Sequence, residues 1–454
     1  MHSQLVAKYD VPGPRYTSYP TVPYWESEGF GVEAWRDALA ETYAAEGRRT
    51  GIAVYVHLPY CESLCTFCGC TKHISRSHAV EGPYVDGLLA EWAQYRRLFD
   101  ADLAVREIHL GGGTPTFFSP ASLARLVDGL LAGTRPADDH EFGFEAHPNS
   151  TSREHLERLH ELGFRRLSLG VQDFDPVVQT AIHRHQPLER VREVTEQARA
   201  LGYASVNYDL VYGLPKQRIE GVRSTVRDVL ALRPDRIAYY GYAHVPWVKG
   251  VGQRGFVDAD IPRGADKRAL YEAGRTMLED AGYEEVGLDH FALPDDGLAR
   301  AWREGRLARS FMGYTESRTR ICVGLGMSAI GDAWGAFAQN EKKVATYLER
   351  VGRGELPLLR GHRLNAEDLV LRRHIHEVMC RFETSWDEAE GAMPALRDAV
   401  AELAPLAEDG IVELGSNRVR VTARGRPFLR NVCMAFDARL RARAPTAPTF
   451  SQAI

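Results

Sequence analysis

No run of about 18 apolar residues occurs anywhere in the sequence, so nothing in it reads as a membrane-spanning helix. The start, MHSQLVAKYD, has no apolar signal core. We therefore expect a cytoplasmic protein whose thiols stay reduced. Charge of one sign is also missing. Lys and Arg number 56 against 61 Asp and Glu, the net charge is −5, and no long block of like charge appears. That gives no support to nucleic-acid binding. The sequence shows no low-complexity tract and no short repeat. Cysteine is scarce, with 7 in 454 residues, and no second Cys-x-x-Cys pair exists to complete a zinc site.

The scarce cysteines are not spread evenly. Cys61, Cys65 and Cys68 fall in one run, Tyr60-Cys61-Glu62-Ser63-Leu64-Cys65-Thr66-Phe67-Cys68. A 4Fe–4S cube usually takes four cysteines. A loop that offers three at this spacing leaves one iron open to another ligand. Cys70, with His57 or His73, is the weaker zinc alternative. Cys322, Cys380 and Cys433 stand among apolar residues and read as small buried hydrophobes.

With 44% hydrophobic residues the chain can build a large core of two or three domains. Over 50–245, apolar strands alternate with amphipathic helices. The strand signals are 52–58, 105–110, 141–146, 166–172, 205–213 and 236–243. One helix starts after Ser119-Pro120, with Ser as N-cap and Pro in the first turn. Another starts at Thr151, with Glu154 completing a capping box. A third covers 188–201 and stops at Gly202. This alternation predicts an α/β protein with a parallel sheet, curled into an open, partial (β/α)6 barrel. In such folds chemistry sits at the C-terminal ends of the strands. The polar outliers fall there: the cysteine loop, Gly111-Gly112-Gly113-Thr114-Pro115, Glu145, Gln172 with Asp173, and Asp209. Residues 365–435 read as helix, hairpin and helix, a winged-helix-like lid without a basic stripe. The tail RLRARAPTAPTF reads as a solvated arm.

The Cys-x3-Cys-x2-Cys loop with Phe67 resembles the radical S-adenosylmethionine (SAM) superfamily. Nearly the whole chain resembles one family within it, the oxygen-independent coproporphyrinogen III dehydrogenases of haem biosynthesis. Several segments carry the resemblance: Gly13-Pro14-Arg15-Tyr16-Thr17-Ser18-Tyr19-Pro20, Tyr55-Val56-His57-Leu58-Pro59, and the cysteine loop with Gly69-Cys70-Thr71-Lys72. Further on come His109-Leu110-Gly111 through Thr116, Asp209 through Gln217, Asp289-His290-Phe291-Ala292, and Phe450-Ser451-Gln452-Ala453-Ile454. The resemblance implies an N-terminal arm (1–48), a radical SAM core (49–250), a barrel extension (251–360) and a mostly helical lid (361–454).

It also implies the chemistry. The open iron chelates SAM, one electron splits the sulfonium, and the resulting 5′-deoxyadenosyl radical takes a hydrogen from a propionate. Loss of CO₂ and an electron leaves a vinyl group, twice per coproporphyrinogen III. By resemblance Cys61, Cys65 and Cys68 hold the cluster. A first SAM meets Tyr55, Gly112, Glu145 and Ile330. A second SAM meets Phe67, Gly113, Thr114, Gln172, Arg184, Asp209 and Ala243. Glu145 and Arg184 are expected to matter for catalysis. Glu145 can pair with an ammonium, Asp209 can accept ribose hydroxyls, and Arg184 can fork onto a carboxylate. An electron donor such as flavodoxin or ferredoxin, a monomeric state, and no membrane or nucleic-acid partner complete the implied picture. Arg15, Lys216 and Arg309 are candidates for the substrate carboxylates.

One departure stands out. Many members of that family read Phe-Gln-Gly-Tyr-Thr where this chain has Phe311-Met312-Gly313-Tyr314-Thr315, and a thioether lacks an amide's two donors. Two rivals share the barrel: a radical methyltransferase and a haem-carrying chaperone. Gly69-Cys70 after the third cysteine and the Arg15–Pro20 segment favour the dehydrogenase.

Overall fold

A computed structural model describes residues 2–316 and 319–454. Six parallel strands form its centre: β1 (Ile52–Leu58), β2 (Ala104–Gly112), β3 (Arg135–Ala146), β4 (Phe164–Gln172), β5 (Ser205–Tyr212) and β6 (Arg236–Gly241). They pair in sequence order, each parallel to the next. Six of the seven β1 residues are buried, as expected for a strand covered on both faces. The helices Glu81–Arg96, Pro120–Leu131, Arg153–Glu161, Leu188–Leu201 and Ile219–Leu232 make the crossovers.

The local signals account for these boundaries. Ser119 caps its helix by accepting from the Ser122 N–H, with Pro120 in the first turn. Gly202 ends the Leu188–Leu201 helix in the left-handed region, at φ 92°. The expected capping box at Thr151 is displaced by one residue. Ser152 is the N-cap and His155, not a glutamate, returns the bond. Thr151 is instead buried, its hydroxyl bonded to the His147 carbonyl at 2.8 Å.

The sheet is wider than six strands. Cys322–Leu325 adds a seventh parallel strand beside β1, with Tyr55 opposite Gly324. Three antiparallel strands, Ile330–Asp332, Ala336–Asn340 and Leu358–Arg363, continue that edge. At the other edge His290–Ala292 pairs antiparallel with β6 and carries Glu284–Val286. The four-residue seventh strand is short and lies far from β1 in sequence, so no local pattern announces it.

The C-terminal part packs helices Ala366–Arg381, Pro394–Glu402 and Leu429–Ala435 on a small antiparallel sheet of Glu383–Ser385, Arg418–Val421 and Val412–Leu414. Its apolar core also contains Leu5, Val6, Tyr16, Tyr19 and Ile454. The tail is solvated only over 442–448. Arg439 forks onto Asp368, with both bonds at 2.8 Å, and Gln452 bridges to Pro12. Ala453 and Ile454 are buried. An arm free along its whole length was expected. Its basic stem is anchored by a buried carboxylate and its end by apolar burial. No described helix is long and apolar enough to cross a membrane.

Candidate iron–sulfur and nucleoside site

The cysteine loop leaves β1 at the C-terminal rim of the sheet and is held from three sides. Thr66 donates its N–H to Ile182 O and its hydroxyl to Ala181 O, both at 2.9 Å, and His183 Nδ1 meets Leu64 O at 3.0 Å. On the opposite side Gly252 donates to Cys68 O at 3.0 Å and Arg254 to Thr66 O at 3.3 Å. Gln253 sits between them. Its amide donates to Phe67 O at 3.1 Å and Ala243 O at 2.7 Å, while its oxygen accepts from Val245 N–H at 2.6 Å. Below the loop, His57 Nε2 meets Thr71 O at 2.8 Å, which leaves Nδ1 to accept from the Tyr55 hydroxyl at 3.1 Å.

Each of the three loop thiols has one donor. Thr114 Oγ1 lies 3.3 Å from Cys61 Sγ, Arg184 Nη1 3.7 Å from Cys65 Sγ, and the Cys70 N–H 3.4 Å from Cys68 Sγ. The Cys70 side chain and Lys72 pull the Cys68 thiol below its ordinary range, whereas burial pushes Cys61 up to about 11. Among the described residues no three His, Cys, Asp or Glu side chains are gathered closely enough to hold a single metal ion, the three loop cysteines included. A cube spreads its thiolates over separate irons instead and accepts hydrogen bonds at its sulfurs. The donor set therefore fits a 4Fe–4S cluster. Cys70 contacts Cys68 through its backbone N–H and its side chain. Cys380 and Cys433 are buried as expected, while Cys322 is only half-buried.

The glycine turn after β2 is shaped by its neighbours. Gly112 has φ +110°, and a Cβ there would lie 2.7 Å from His57 Nδ1. A Cβ on Gly113 would lie 2.5 Å from the Pro59 carbonyl oxygen. Side chains are excluded at both positions, and backbone is exposed beside the cysteine loop. The Gly112 N–H donates to Glu145 Oε2 at 3.2 Å, and His109 Nε2 approaches Oε1 at 3.4 Å. Burial pushes the Glu145 carboxyl up, but His109 and the Gly112 amide outweigh it and hold the group ionised, below its usual value. Tyr55 stacks on His109 with ring centres 6.1 Å apart.

The second half of the rim carries Gln172, Arg184 and Asp209. Gln172 ends β4 in the left-handed region, at φ 66°, a conformation that non-glycine residues adopt at a cost. Arg184 bonds the Gly170 carbonyl, and its Nε is buried with no partner. Asp209 accepts from Asn207 at 2.8 Å and Ser168 at 3.1 Å. Burial, reinforced by Glu145, pushes its carboxyl up to about 7. Asp173 turns inward, bonded to Gln217 and Thr225, and is structural.

His109, Glu145 and Asp209 share one lumen. A cavity of about 80 Å³ is lined by His109, Glu145, Asp209, Tyr240, His290 and Met312 among others. Met312 thus faces the same space as Glu145 and Asp209. Two candidates lie further out. Ile330 sits two strands from Tyr55, separated by Gly324, and packs partly against the Trp25–Phe337 cluster. Phe67 leans on Val178, Val211 and Tyr242. Lys216 is exposed and lines no cavity described in this site. Three residues outside the expected set stand out: His57, His109 and Gln253. The two histidines lie within motifs that signal the site, YVHLP and HLGGGTP. Gln253 carries no local signal.

A sheet rim with three donor-bearing thiols, a glycine turn and buried polar groups defines a radical SAM enzyme, and the radical SAM superfamily model matches residues 55–229. Near-full-length similarity narrows the class. An oxygen-independent coproporphyrinogen III oxidase from Pseudomonas aeruginosa is 38% identical over 444 residues, 96% of this chain and 95% of the relative. The Escherichia coli protein of that name is 39% identical over 445 residues, 97% of this chain and 96% of the relative. The solved structure of the E. coli coproporphyrinogen III oxidase, described as a radical SAM enzyme, aligns with a TM-score of 0.87 at 37% identity, covering 93% of this chain and 97% of that one. The chain belongs to the oxygen-independent coproporphyrinogen III oxidase family.

Proposed function

We propose that the chain converts two propionate side chains of coproporphyrinogen III to vinyl groups, without oxygen, giving protoporphyrinogen IX in haem biosynthesis. The observation that carries this reading is the rim itself: three thiols, each with a hydrogen-bond donor, beside a half-exposed carboxylate held ionised. A bound 4Fe–4S cluster and SAM supply one-electron cleavage of the sulfonium and a radical able to abstract hydrogen from a propionate.

The chain's own residues do the rest. Cys61, Cys65 and Cys68 would hold the cluster through their three thiolates. Ionised Glu145 attracts the SAM ammonium, with the Gly112 turn bringing backbone close and Tyr55 and Ile330 closing the side. Phe67, Gly113, Thr114, Gln172, Arg184, Asp209 and Ala243 border space for a second SAM. The unpartnered Nε of Arg184 is a donor awaiting a carboxylate. A C-terminal lid over the rim excludes water from a primary radical. In this reading 1–48 is an arm that ties the lid down, 49–250 the catalytic core, 251–360 its extension and 361–454 the lid. The chain works as a cytoplasmic monomer fed electrons by a flavodoxin- or ferredoxin-type donor.

Anaerobic incubation with coproporphyrinogen III, SAM and a reductant tests the proposal. A product lighter by two formic-acid equivalents is expected. A gain of methyl groups, or no change in porphyrinogen mass with a fully loaded cluster, would overturn it.

A further inference from the structure

Four cations beside the rim, Arg309, Arg15, Lys267 and Arg430, make no direct ion pair with a carboxylate side chain among the described residues. Arg309 lies on the strand Ala308–Ser310, whose hairpin partner Gly313–Thr315 follows Met312. Its guanidinium stacks over Tyr314, 4.5 Å from the ring centre, and its Nε and Nη1 are buried with no hydrogen-bond partner. Buried guanidinium nitrogens without partners are costly and mark a place for an anion.

Arg15, Lys267 and Arg430 line an adjacent cavity of about 180 Å³, together with Tyr212, Gly241 and Asp289. Arg15 donates to the Gly241 carbonyl, Lys267 to Ile454 O at 3.0 Å, and Arg430 to the carbonyls of Pro14 and Gln452. The partners of Arg15 and Arg430 are neutral backbone carbonyls, and Lys267 also feels the Asp10 carboxylate. The other cations of the same cavity differ: Arg268 pairs with Glu272, Arg275 with Glu272 and Glu279, and Arg426 with Glu285. Asp289 is the shared counter-charge between the two places, since both Arg309 and Arg15 help hold it ionised. It is already engaged by His290 at 2.8 Å. Asp10 is the other carboxylate facing this group, beside Lys267 and Arg430, so cations outnumber carboxylates by four to two. Burial and the neighbouring Arg15 and Arg430 push Lys267 down to about 7, a sign of repulsion that an incoming anion would relieve.

Next to this cavity a larger one, about 660 Å³, shares Lys267 and Ile454 and is walled by Tyr242, His244, Trp247 and Ile261. A carboxylate-sized basic pocket beside an aromatic cleft suits a tetrapyrrole whose pyrrole rings carry propionates. Arg15 touches Gly241, the last residue of β6, two positions before Ala243. The basic pocket thus borders the rim on which the reacting propionates must arrive.

We infer that Arg309, Arg15, Lys267 and Arg430 dock the propionate carboxylates of the tetrapyrrole that do not react, and so choose which two side chains reach the lumen. This inference rests on the function proposed above. It separates the three earlier candidates: Arg15 and Arg309 belong to the site, Lys216 does not, and Lys267 and Arg430 join it.

The test uses full-length, cluster-loaded protein and two fluorescent, non-reacting probes, coproporphyrin III and its tetramethyl ester. The acid is expected to bind more tightly than the ester. Arg15→Gln and Lys267→Met should each weaken the acid on the order of tenfold and leave the ester unchanged. Arg309→Met should do the same, with Arg309→Lys recovering part of the loss. Intact cluster absorbance in each variant certifies folding. Equal binding of acid and ester, or variants that weaken both alike, would overturn the inference. Turnover of the wild type is followed in parallel. If the acid preference depends on these cations yet no divinyl product forms, the docking site stands and the function above falls. If product forms without the acid preference, the reverse holds.

Discussion

Arg184 reaches from the loop after the Pro176–Ala181 helix to the cysteine loop, placing Nη1 3.7 Å from Cys65 Sγ, while its Nε stays buried without a partner. One guanidinium thus supports a cluster thiol and keeps a donor in reserve. Arg184→Ala should retain the iron–sulfur absorbance and lower turnover by about a hundredfold, because a mispositioned reactant alone costs that much. In the wild type, 5′-deoxyadenosine and CO₂ should each form at a ratio of about two per protoporphyrinogen IX, since each propionate oxidised consumes one SAM, and a one-vinyl, three-propionate intermediate should appear early. Chromatography of nucleoside against porphyrinogen checks this. A ratio of one, or full activity in Arg184→Ala, would contradict the two-SAM arrangement.

The cysteine loop makes a sharper prediction. Cys61→Ser, Cys65→Ser and Cys68→Ser should each abolish cluster binding and activity. Cys70→Ser should keep the oxygen-labile brown chromophore, because serine keeps the backbone N–H to Cys68 Sγ and offers a hydroxyl donor in place of the thiol. Iron analysis of anaerobically purified variants decides it. Iron near zero in Cys70→Ser would reassign the loop.

Asp209 should give the site a pH dependence. Its carboxyl is raised to about 7 by burial and by Glu145, so it is protonated below neutrality and ionised above. Cationic SAM binds the ionised form better. SAM affinity should therefore rise with pH through about 7, and Asp209→Asn should flatten that rise. Calorimetric titration across the range checks both. A wild-type profile identical to that of Asp209→Asn would remove Asp209 from the site.

Met312 lines the same cavity as Glu145 and Asp209. Met312→Gln restores two amide donors there. It should change the KM for SAM or for the porphyrinogen several-fold with iron content unchanged. Steady-state kinetics for both substrates would detect this, and identical constants would mean the side chain only packs.

Glu91 is a structural counterpart. It is fully buried and accepts from the Gly326 N–H at 2.8 Å and from the Tyr347 hydroxyl and Asn340 amide at 2.7 Å, which joins the Glu81–Arg96 helix to the added sheet edge. Glu91→Leu strands three donors and should destabilise the protein by about 3 kcal/mol or more. Burial raises its carboxyl to about 7. An acid whose folded pKa exceeds its unfolded value holds extra protons when folded, so its contribution falls as pH rises from about 4.5 to 7. Denaturant midpoints of wild type and Glu91→Gln over that range measure the difference. A midpoint for Glu91→Leu equal to the wild type's would refute the role.

The local code was legible where a short stretch holds the whole signal. The β1 span, the Ser119 cap, the Gly202 stop and the cysteine loop each depend on residues a few positions apart, so spacing and burial periodicity declare them. The rim location of Glu145 and Gln172 followed from strand ends, while Asp209 lies within its strand and reaches the lumen through tertiary packing. Tertiary structure alone decided what depends on distant partners. The seventh parallel strand, the N-terminal residues sharing a core with the C-terminal helices, the buried end of the tail and the Gln253 bracket all join residues remote in sequence. Thr151 lost its cap to Ser152 because its hydroxyl found a buried carbonyl instead. The same holds for charge. A sequence counts arginines, but only packing shows that Arg426 is neutralised while Arg309 is buried with open donors, because a counter-charge is a matter of distance in space rather than position along the chain.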